Sequence, residues 1–220
     1  MSFFKDRVDA GKQLASALNS ASKGAIVLAV PRGGVVVGFE VAKALQIPLD
    51  IVITKKIGAP GNPELAIGAV AEDGTLLLDE GIVEMLNVPQ SYIEGEVENQ
   101  RAEIKRRLQR YRGNAQTPQV SGRAVIVVDD GVATGATLKA SLRSLRKRGA
   151  KPLVVAVPVG PIDTITALKK EADRVVCLHT PEPFYAIGEF YRNFDQTRDE
   201  EVIELLEKNK HELQGKKVTA

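Results

Sequence analysis

The sequence predicts an α/β fold in which a mainly parallel central sheet is flanked by helices. Short apolar, β-branched segments recur along the chain, segments with helical spacing separate them, and turn residues end most of them. The strands predicted in this way are residues 25–30, 49–54, 125–128, 153–159 and 174–178. Continuous apolar runs of this length are typical of strands buried on both faces. Because helical segments separate the strands, we expect parallel pairing through right-handed crossovers.

Helical spacing of apolar residues predicts the helices that cover this sheet. They are residues 4–18, 35–45, 89–112, 138–148, 162–170 and 199–209. Between the second and third strands, residues 66–71 and 75–78 flank Glu72-Asp73-Gly74, which predicts a β-hairpin. Residues 58–63 are rich in glycine and proline, and we expect them to form a mobile loop that closes over a site.

A single domain is predicted for residues 1–220. Its core extends from about residue 20 to residue 178, and a lid, a hairpin and a long helix form an insertion at 57–113. A small hood follows at 179–197, and the last helix closes the chain.

Composition excludes several classes of protein. Hydrophobic residues make up 44% of the chain, and 30 basic against 28 acidic residues give a net charge of +2. So small a charge does not favour nucleic acid or a strongly acidic partner. Cys177 is the one cysteine, so a disulfide within the chain is impossible. The N-terminus lacks an apolar leader and no window suits a membrane span, so we expect a soluble cytoplasmic protein.

The most informative segment joins the third predicted strand to the helix that follows it. Asp129 and Asp130 come directly after the strand, and small or hydroxylated residues lead into the helix. Unpaired N–H groups at a helix N-terminus, together with the Thr134 and Thr137 hydroxyls, suit a phosphate monoester. Adjacent carboxylates suit ribose hydroxyls, with a divalent cation nearby to offset their charge. A phosphorylated sugar such as phosphoribosyl pyrophosphate combines these features.

Residues 125–137 resemble the phosphoribosyl-pyrophosphate motif of the type I phosphoribosyltransferases. The resemblance implies that Asp129 and Asp130 meet the ribose hydroxyls. It also implies that the 5′-phosphate is bound by Val132, Ala133, Thr134, Gly135, Ala136 and Thr137. The nearest rival motif is a P-loop, which is excluded because no lysine follows Gly135. An ordinary strand–turn–helix with acidic capping residues is the remaining alternative.

A second anion site of the same kind is predicted upstream, where the first strand ends in Pro31-Arg32-Gly33-Gly34. By itself this turn is equally compatible with a tight connection that bears a solvated arginine. In the type I family, however, the first core strand precedes a pyrophosphate-binding loop, and Arg32, Gly33 and Gly34 are similar to it. A non-proline cis peptide is characteristic of that loop and would suit the missing Cβ of Gly33 or Gly34.

Lys55 and Lys56 are expected at the carboxyl end of the second strand, where open α/β sheets bind ligands. By the family resemblance, one of the two neutralises pyrophosphate oxygens; the alternative is a pair of solvated lysines. Glu64 belongs either to the lid or to the cap of the element that follows. A closed lid would keep water from the ribosyl centre.

The C-terminal segment 179–194 carries two prolines and five aromatic residues, which predicts a rigid, aromatic-lined flap. In the type I family a hood at this place holds the nucleobase, and Phe184-Tyr185 resemble the aromatic position of purine-type hoods. Phe190 and Phe194 fit equally well as residues that cap the core.

Ala133 departs from the many family members that act on 6-oxopurines and carry an aspartate at this position. In this respect the chain is more similar to adenine and some uracil enzymes. The expected reaction is transfer of the 5-phosphoribosyl group to a nitrogenous base, a purine such as adenine or a pyrimidine, with release of pyrophosphate, in nucleotide salvage or metabolism. The base would be recognised by Glu64, by Tyr185 or by the main chain of the hood.

The resemblance implies Mg²⁺ as the cofactor, bound through the substrate and near Asp129 and Asp130. Arg32, with Lys55 or Lys56, would stabilise the leaving pyrophosphate as ribose C1 becomes cationic. The expected partners are phosphoribosyl pyrophosphate, a nucleobase and a second copy in a homodimer, with neither membrane nor nucleic acid among them.

The alternative function is a regulator that senses phosphoribosyl pyrophosphate and binds RNA or DNA without turnover. Arg106, Arg107, Arg110 and Arg112 in the long helix would contact the nucleic acid; otherwise they form a solvated face or a subunit contact. A synthetase that makes phosphoribosyl pyrophosphate ranks behind both, because no adenine-nucleotide site is evident.

Overall fold

The computed structural model describes residues 2–20 and 24–218, and residues 1, 21–23 and 219–220 of the predicted domain lie outside this part. The strands are β1 (Ile26–Ala29), β2 (Leu49–Ile51), β3 (Thr54–Ala59), β4 (Asn62–Ala71), β5 (Leu76–Leu78), β6 (Val125–Val128), β7 (Leu153–Val159) and β8 (Arg174–His179). The helices are α1 (Arg7–Leu18), α2 (Gly33–Leu45), α3 (Glu80–Met85), α4 (Gln90–Arg112), α5 (Ala136–Lys147), α6 (Ile162–Leu168) and α7 (Asp199–Val218), and a 3-10 helix spans Ile187–Phe190.

The central sheet is made of parallel strands in the order β2-β1-β6-β7-β8, which confirms the predicted fold class. β1 and β6 are buried along their whole length. Residues of α1, α2 and α7 pack on one face of the sheet, and residues of α5 and α6 pack on the other. Burial on both faces explains why these strands are continuous apolar runs rather than alternating ones.

The pairing of β1 with β6 determines where the site lies. Ala29 is opposite Val128, so the two strands end at the same level. The chain leaves β1 towards β2 on one side and leaves β6 towards β7 on the other, which makes this junction the point where the strand order reverses. In open α/β sheets, ligands bind at the carboxyl ends of the strands at this point.

A second sheet of antiparallel strands, in the order β3-β4-β5, replaces the loop that was predicted for residues 58–63. That prediction is wrong, because Gly58 belongs to β3 and Pro63 to β4, and only Pro60 and Gly61 form the turn. A Cβ on Gly58 would lie 2.6 Å from Pro63 Cα. This glycine therefore allows two strands to approach at a register irregularity rather than marking a flexible segment.

The strand predicted for residues 49–54 is also wrong in its extent. β2 ends at Ile51, and Thr54 already belongs to β3 in the second sheet. Lys55 and Lys56 consequently lie near the start of β3, not at the carboxyl end of a central strand. The side chain of Thr54 fixes this exit from the central sheet, because its Oγ1 lies 2.7 Å from the buried Ser141 Oγ of α5.

The helices differ most from the predicted ones at three places. Helix α3 was not predicted; Asp79 caps it by accepting a hydrogen bond from Ile82 N at 3.1 Å. Helix α1 begins at Arg7 rather than at residue 4, because Asp6 is its N-cap and accepts from Asp9 N at 2.8 Å. Helix α7 extends to Val218, beyond the predicted end at residue 209.

Buried charges fasten α4 and the second sheet to the central sheet. Glu72, in the turn after β4, accepts hydrogen bonds from Arg148 Nη1 at 2.8 Å and from Arg112 Nη1 at 3.4 Å. Arg112, at the end of α4, also donates from Nε to Asp50 Oδ1 at 2.8 Å. The side chains of Glu72 and Arg112 are only 6% and 5% exposed. Because a buried charge without its partner stays desolvated, this network resists any shift of α4.

Glu72→Ala should lower the free energy of unfolding by about 3 kcal/mol, since Arg112 and Arg148 would both lose a buried partner. Urea unfolding followed by circular dichroism measures the change. Glu98→Ala is the control, because the Glu98 side chain is 71% exposed in its ion pair with Arg101 on α4. Its expected cost is at most about 0.5 kcal/mol. Similar losses in the two variants would contradict a special contribution of the buried network.

Candidate active site

The glycine turn after β1 packs directly on the acidic pair after β6. A Cβ on Gly33 would lie 2.0 Å from Asp130 Oδ2, and a Cβ on Gly34 would lie 2.9 Å from Asp129 Cα. No other residue type permits so close an approach without a shift of the carboxylates. The structure thus brings together two predicted parts of the site that lie far apart in the sequence.

The turn contains a non-proline cis peptide, as the family resemblance implies, but not at the expected glycines. The cis bond joins Pro31 to Arg32. Gly33 and Gly34 are required instead by the approach to the carboxylates. Arg32, directly after the cis bond, points its guanidinium towards α7, with Nη1 3.7 Å from Asp199 Oδ1.

The connection from β6 to α5 is held in its middle by two hydrogen bonds and leaves a helix N-terminus uncapped. Val132 N donates to Val159 O at 2.9 Å, and Thr164 Oγ1 donates to Ala133 O at 2.6 Å. Gly135 adopts a φ of +76° and offers no side chain to cap α5, which begins at the next residue. The N–H groups of the first turn of α5 are therefore available to an anion.

A cavity of about 300 Å³ opens at this edge of the central sheet. It is enclosed by the turn after β1, the acidic pair, the start of β3 and Arg107 of α4. Its lining residues are Val30, Pro31, Arg32, Gly33, Thr54, Lys55, Lys56, Arg107, Asp129, Asp130 and Thr137. Most of the predicted sugar and pyrophosphate residues thus share one cavity.

The predicted 5′-phosphate residues do not all face this cavity. Thr137 lines it, whereas Thr134 and Ala136 line a second groove of about 680 Å³ between α5 and the antiparallel sheet. Val132 and Gly135 are buried within the loop itself. The predicted phosphate loop, residues 131–137, therefore lies between the cavity and the groove.

Lys55 and Lys56 differ in their surroundings. Lys56 Nζ lies 2.8 Å from Glu64 Oε2, in an ion pair on the surface. Lys55 is half-buried, and among the described residues no carboxylate lies within ion-pair distance of its ammonium group. Burial, and then the charge of Arg107, lower the pKa of Lys55 below the usual range of a lysine. An anion in the cavity would supply the missing negative charge.

Arg107 is a cavity residue that the sequence analysis assigned to a solvated or nucleic-acid-binding face. Its Nε donates to Glu103 Oε1 at 2.7 Å, and Arg106 donates to the same carboxylate. These two hydrogen bonds lower the pKa of Glu103 to about 2. The charge pattern of α4 could not reveal this role, because the position of Arg107 depends on how α4 packs on β3.

The other arginines of the predicted nucleic-acid cluster are also engaged by carboxylates. Arg110 Nε lies 3.1 Å from Asp199 Oδ2, and its Nη2 lies 2.7 Å from Glu200 Oε1. Arg112 is buried in the network with Asp50 described above. These arginines form ion pairs within the chain, so the cluster is not a stripe of unpaired positive charge.

Burial affects the charge of Asp129, and Arg7, which local sequence did not single out, holds Asp130. Burial, and then the charge of Asp130, raise the pKa of Asp129. Asp130 N donates to Asp129 Oδ1 at 2.8 Å. Asp130 Oδ2 accepts a hydrogen bond from Arg7 Nε of α1 at 2.7 Å. Arg7 lies among other charged residues of an amphipathic helix, where no local signal distinguishes it.

The hood packs beside the site, but its predicted base-binding pair does not reach the cavity. Phe184 packs on Phe190 with ring centroids 5.1 Å apart, and the side chain of Tyr185 is exposed. Phe190 is buried, as expected for a residue that caps the core. A Cβ on Gly131 would lie 2.5 Å from Ile187 Cγ2, so the hood rests on the start of the phosphate loop.

The donor set at the cavity suits a magnesium ion only together with a substrate. Among the described residues, no group of three or more His, Cys, Asp and Glu side chains could hold a metal. Asp129 and Asp130 supply two carboxylates, and Mg²⁺ in proteins commonly combines one or two carboxylates with substrate phosphates and waters. Within the same residues, no helix is both long and apolar enough to cross a membrane.

Comparisons with known proteins agree with this architecture. The family model described as phosphoribosyl transferase domain matches residues 4–194. Two proteins from Mycobacterium tuberculosis strains, provisionally named phosphoribosyl transferases, are 46% identical over 209 residues. The match covers 94% of this chain and 47% of each relative, so the chain spans about half the length of these curated relatives.

A solved structure has a similar fold over nearly the whole chain. The crystal structure of TT1426 from Thermus thermophilus is 43% identical, with a TM-score of 0.79. The alignment covers 94% of this chain and 98% of TT1426. The matched family model spans the central sheet, the acidic pair, the glycine turn and the hood as far as residue 194. The chain therefore belongs to the phosphoribosyl transferase domain family.

Proposed function

We propose that this domain transfers the 5-phosphoribosyl group of phosphoribosyl pyrophosphate to a nitrogenous base and releases pyrophosphate. One observation carries the proposal: Asp129 and Asp130, the glycine turn and the basic residues Arg32, Lys55 and Arg107 line one cavity at the carboxyl ends of β1 and β6. Carboxylates for a diol and cations for a diphosphate, side by side, match the two ends of this substrate.

The basic residues account for the pyrophosphate group. Lys55 lacks a carboxylate partner among the described residues, and Arg32 is held only at 3.7 Å by Asp199. An added diphosphate would gain charge-assisted hydrogen bonds from both. The uncapped N-terminus of α5 provides main-chain N–H groups for the 5′-phosphate.

The acidic pair accounts for the ribose. Carboxylates accept hydrogen bonds from vicinal hydroxyls, and their negative charge favours a ring that becomes cationic. With Mg²⁺ bound by Asp129, Asp130 and the substrate oxygens, the metal would neutralise charge on the pyrophosphate. In the reaction the bond from C1 to the pyrophosphate oxygen breaks, a bond from C1 to a base nitrogen forms, and that nitrogen loses its proton.

The acceptor is proposed from a missing group. Ala133 contributes no carboxylate beside the loop, so an adenine-like purine or a pyrimidine fits better than a 6-oxopurine. Tyr185 does not line the cavity, but it is 77% exposed on the hood, and we propose that its ring covers the bound base. A free base as acceptor corresponds to nucleotide salvage.

A mass-spectrometric assay tests this function. Purified protein is incubated with phosphoribosyl pyrophosphate, Mg²⁺ and a pool of purine and pyrimidine bases, and we expect the mass of one new nucleoside monophosphate. Asp163→Asn, at an exposed position of α6, is the matched control for changes in the acidic pair and should keep full activity. Tight binding without a product would favour a sensing regulator. If the protein shows no binding and forms no product, the proposal is overturned.

The pH dependence of binding tests the role of Lys55. The protonated amine attracts pyrophosphate, and the lowered pKa means that this charge is lost at a lower pH than in an ordinary lysine. We therefore expect the affinity for phosphoribosyl pyrophosphate to fall as the pH rises towards that pKa. Lys55→Arg keeps its charge and should remove this fall, whereas Lys56→Arg should not. Identical calorimetric pH profiles for all three proteins would contradict the assignment.

A further inference from the structure

Arg7 joins three parts of the molecule at one point. Its Nε donates to Asp130 Oδ2 at 2.7 Å, and its Nη1 donates to the main-chain oxygen of Asp195 at 2.6 Å. Its guanidinium carbon lies 3.8 Å from the centroid of the Phe194 ring. Arg7 belongs to α1, Asp130 to the sugar site, and Phe194 and Asp195 to the end of the hood. The planar guanidinium makes all three contacts at once because its N–H groups point in fixed directions.

The arginine reaches Asp130 from outside the cavity. Arg7 lines a separate pocket of about 210 Å³ between α1 and the end of the hood, whereas Asp130 lines the cavity beside Asp129. The side chains of Arg7 and Asp130 are only 12% and 14% exposed. The contact is therefore shielded from water, where an ion pair is stronger than on the surface.

The hood also contacts Asp130 through a second residue, Tyr191. Tyr191 Oη donates to the main-chain oxygen of Asp130 at 2.5 Å, and its ring packs 4.8 Å from that of Phe194. A Cβ on Gly33 would lie 2.6 Å from Arg7 Nε, so the glycine turn also borders the arginine. The position of Asp130 is thus set by α1 and the hood together, while Asp129 has only its neighbour's N–H as a hydrogen-bond donor among the described residues.

We propose that Arg7 is a positioning residue for the sugar-phosphate site. It offsets part of the repulsion between two adjacent carboxylates, holds the Asp130 carboxylate in one orientation, and couples that orientation to the hood through Phe194 and Asp195. This inference rests on the proposed function, because the orientation of Asp130 matters only if its carboxylate meets the substrate.

Calorimetric titration of the full chain with phosphoribosyl pyrophosphate and Mg²⁺ tests the inference. Arg7→Met removes the charge and keeps most of the side-chain length, and we expect the dissociation constant to rise about tenfold, the effect of losing one charge-assisted hydrogen bond. Lys12→Met, at an exposed position of the same helix, should leave the constant unchanged. Arg7→Lys keeps the charge but loses the hydrogen bond to Asp195 and the stacking on Phe194. Its dissociation constant should lie between those of the wild type and Arg7→Met.

A double-mutant cycle separates positioning from a general structural effect. If Arg7 acts through Asp130, Arg7→Met should cause much less loss of affinity in an Asp130→Asn background than in the wild type. Addition of methylguanidinium to Arg7→Ala should restore affinity, which a change in overall folding would not allow. Wild-type affinity of Arg7→Met, or equal losses in both backgrounds without rescue, would overturn the inference. Absence of binding by the wild type itself would instead refute the proposed function.

Discussion

Replacing Asp129 and Asp130 together by asparagine should abolish magnesium-dependent binding of phosphoribosyl pyrophosphate and leave the fold intact. Hydrogen bonds to charged groups contribute about 1.5–3 kcal/mol each, so the loss of two should weaken binding at least about a hundredfold. The fold should persist because burial and mutual repulsion already disfavour the charge of Asp129. Asparagine keeps the shape and an acceptor oxygen for the N–H of residue 130.

Isothermal titration with and without Mg²⁺ measures this effect, and circular dichroism confirms folding. The exposed Asp163→Asn variant controls for the loss of a negative charge elsewhere on the protein. If the double variant binds as tightly as the wild type, the acidic pair does not hold the ribose, and the assignment of the cavity is wrong.

Gly33→Ala should impair binding nearly as much, by about tenfold to a hundredfold, because the carboxylate that it displaces would lose a charge-assisted hydrogen bond. The new Cβ would lie 2.0 Å from Asp130 Oδ2 and 2.6 Å from Arg7 Nε, so one of these partners must move. The main chain of the turn would shift with them, and this shift would also displace Arg32, the residue before Gly33.

Gly95→Ala is the matched control for this change. Gly95 lies in α4, where a Cβ would meet no heavy atom within 4 Å, and alanine is the better helix former. The control should bind normally and unfold at an equal or higher temperature. Normal binding by Gly33→Ala in the same titration would show that the turn tolerates a side chain and does not form a tight anion site.

Local sequence was sufficient for the parts of the site that are formed by a single strand and the loop after it. Asp129 and Asp130 lie at the end of β6, and the small residues after them lead into α5 as expected. The same holds for Arg32 to Gly34 after β1. In both cases the side chains are placed by the element on which they lie, so periodicity and turn residues are informative.

Residues that arrive from distant elements could not be predicted in this way. Arg107 reaches the cavity because α4 packs on β3, and Arg7 reaches Asp130 across 123 positions of the chain. Their own segments look like ordinary amphipathic helices. What selects them is tertiary packing, which hydrophobic periodicity in one segment does not encode.

Glycine and proline misled the prediction where they serve close packing instead of flexibility. Residues 58–63 have the composition of a loop, yet Gly58 lies in β3 against Pro63 of β4. The early end of β2 had a related cause, since the apolar residues 51–53 run past the end of β2 while the chain passes from one sheet to another. Apolar continuity reports burial and does not report which sheet buries the residues.

The crystal structure of this protein with phosphoribosyl pyrophosphate and Mg²⁺ tests the central claim most directly. We expect the 5′-phosphate against residues 132–137, the ribose hydroxyls at Asp129 and Asp130, and the pyrophosphate beside Arg32 and Lys55. Electron density for the substrate in the groove between α5 and the antiparallel sheet, or a pyrophosphate away from the glycine turn, would contradict the proposed site.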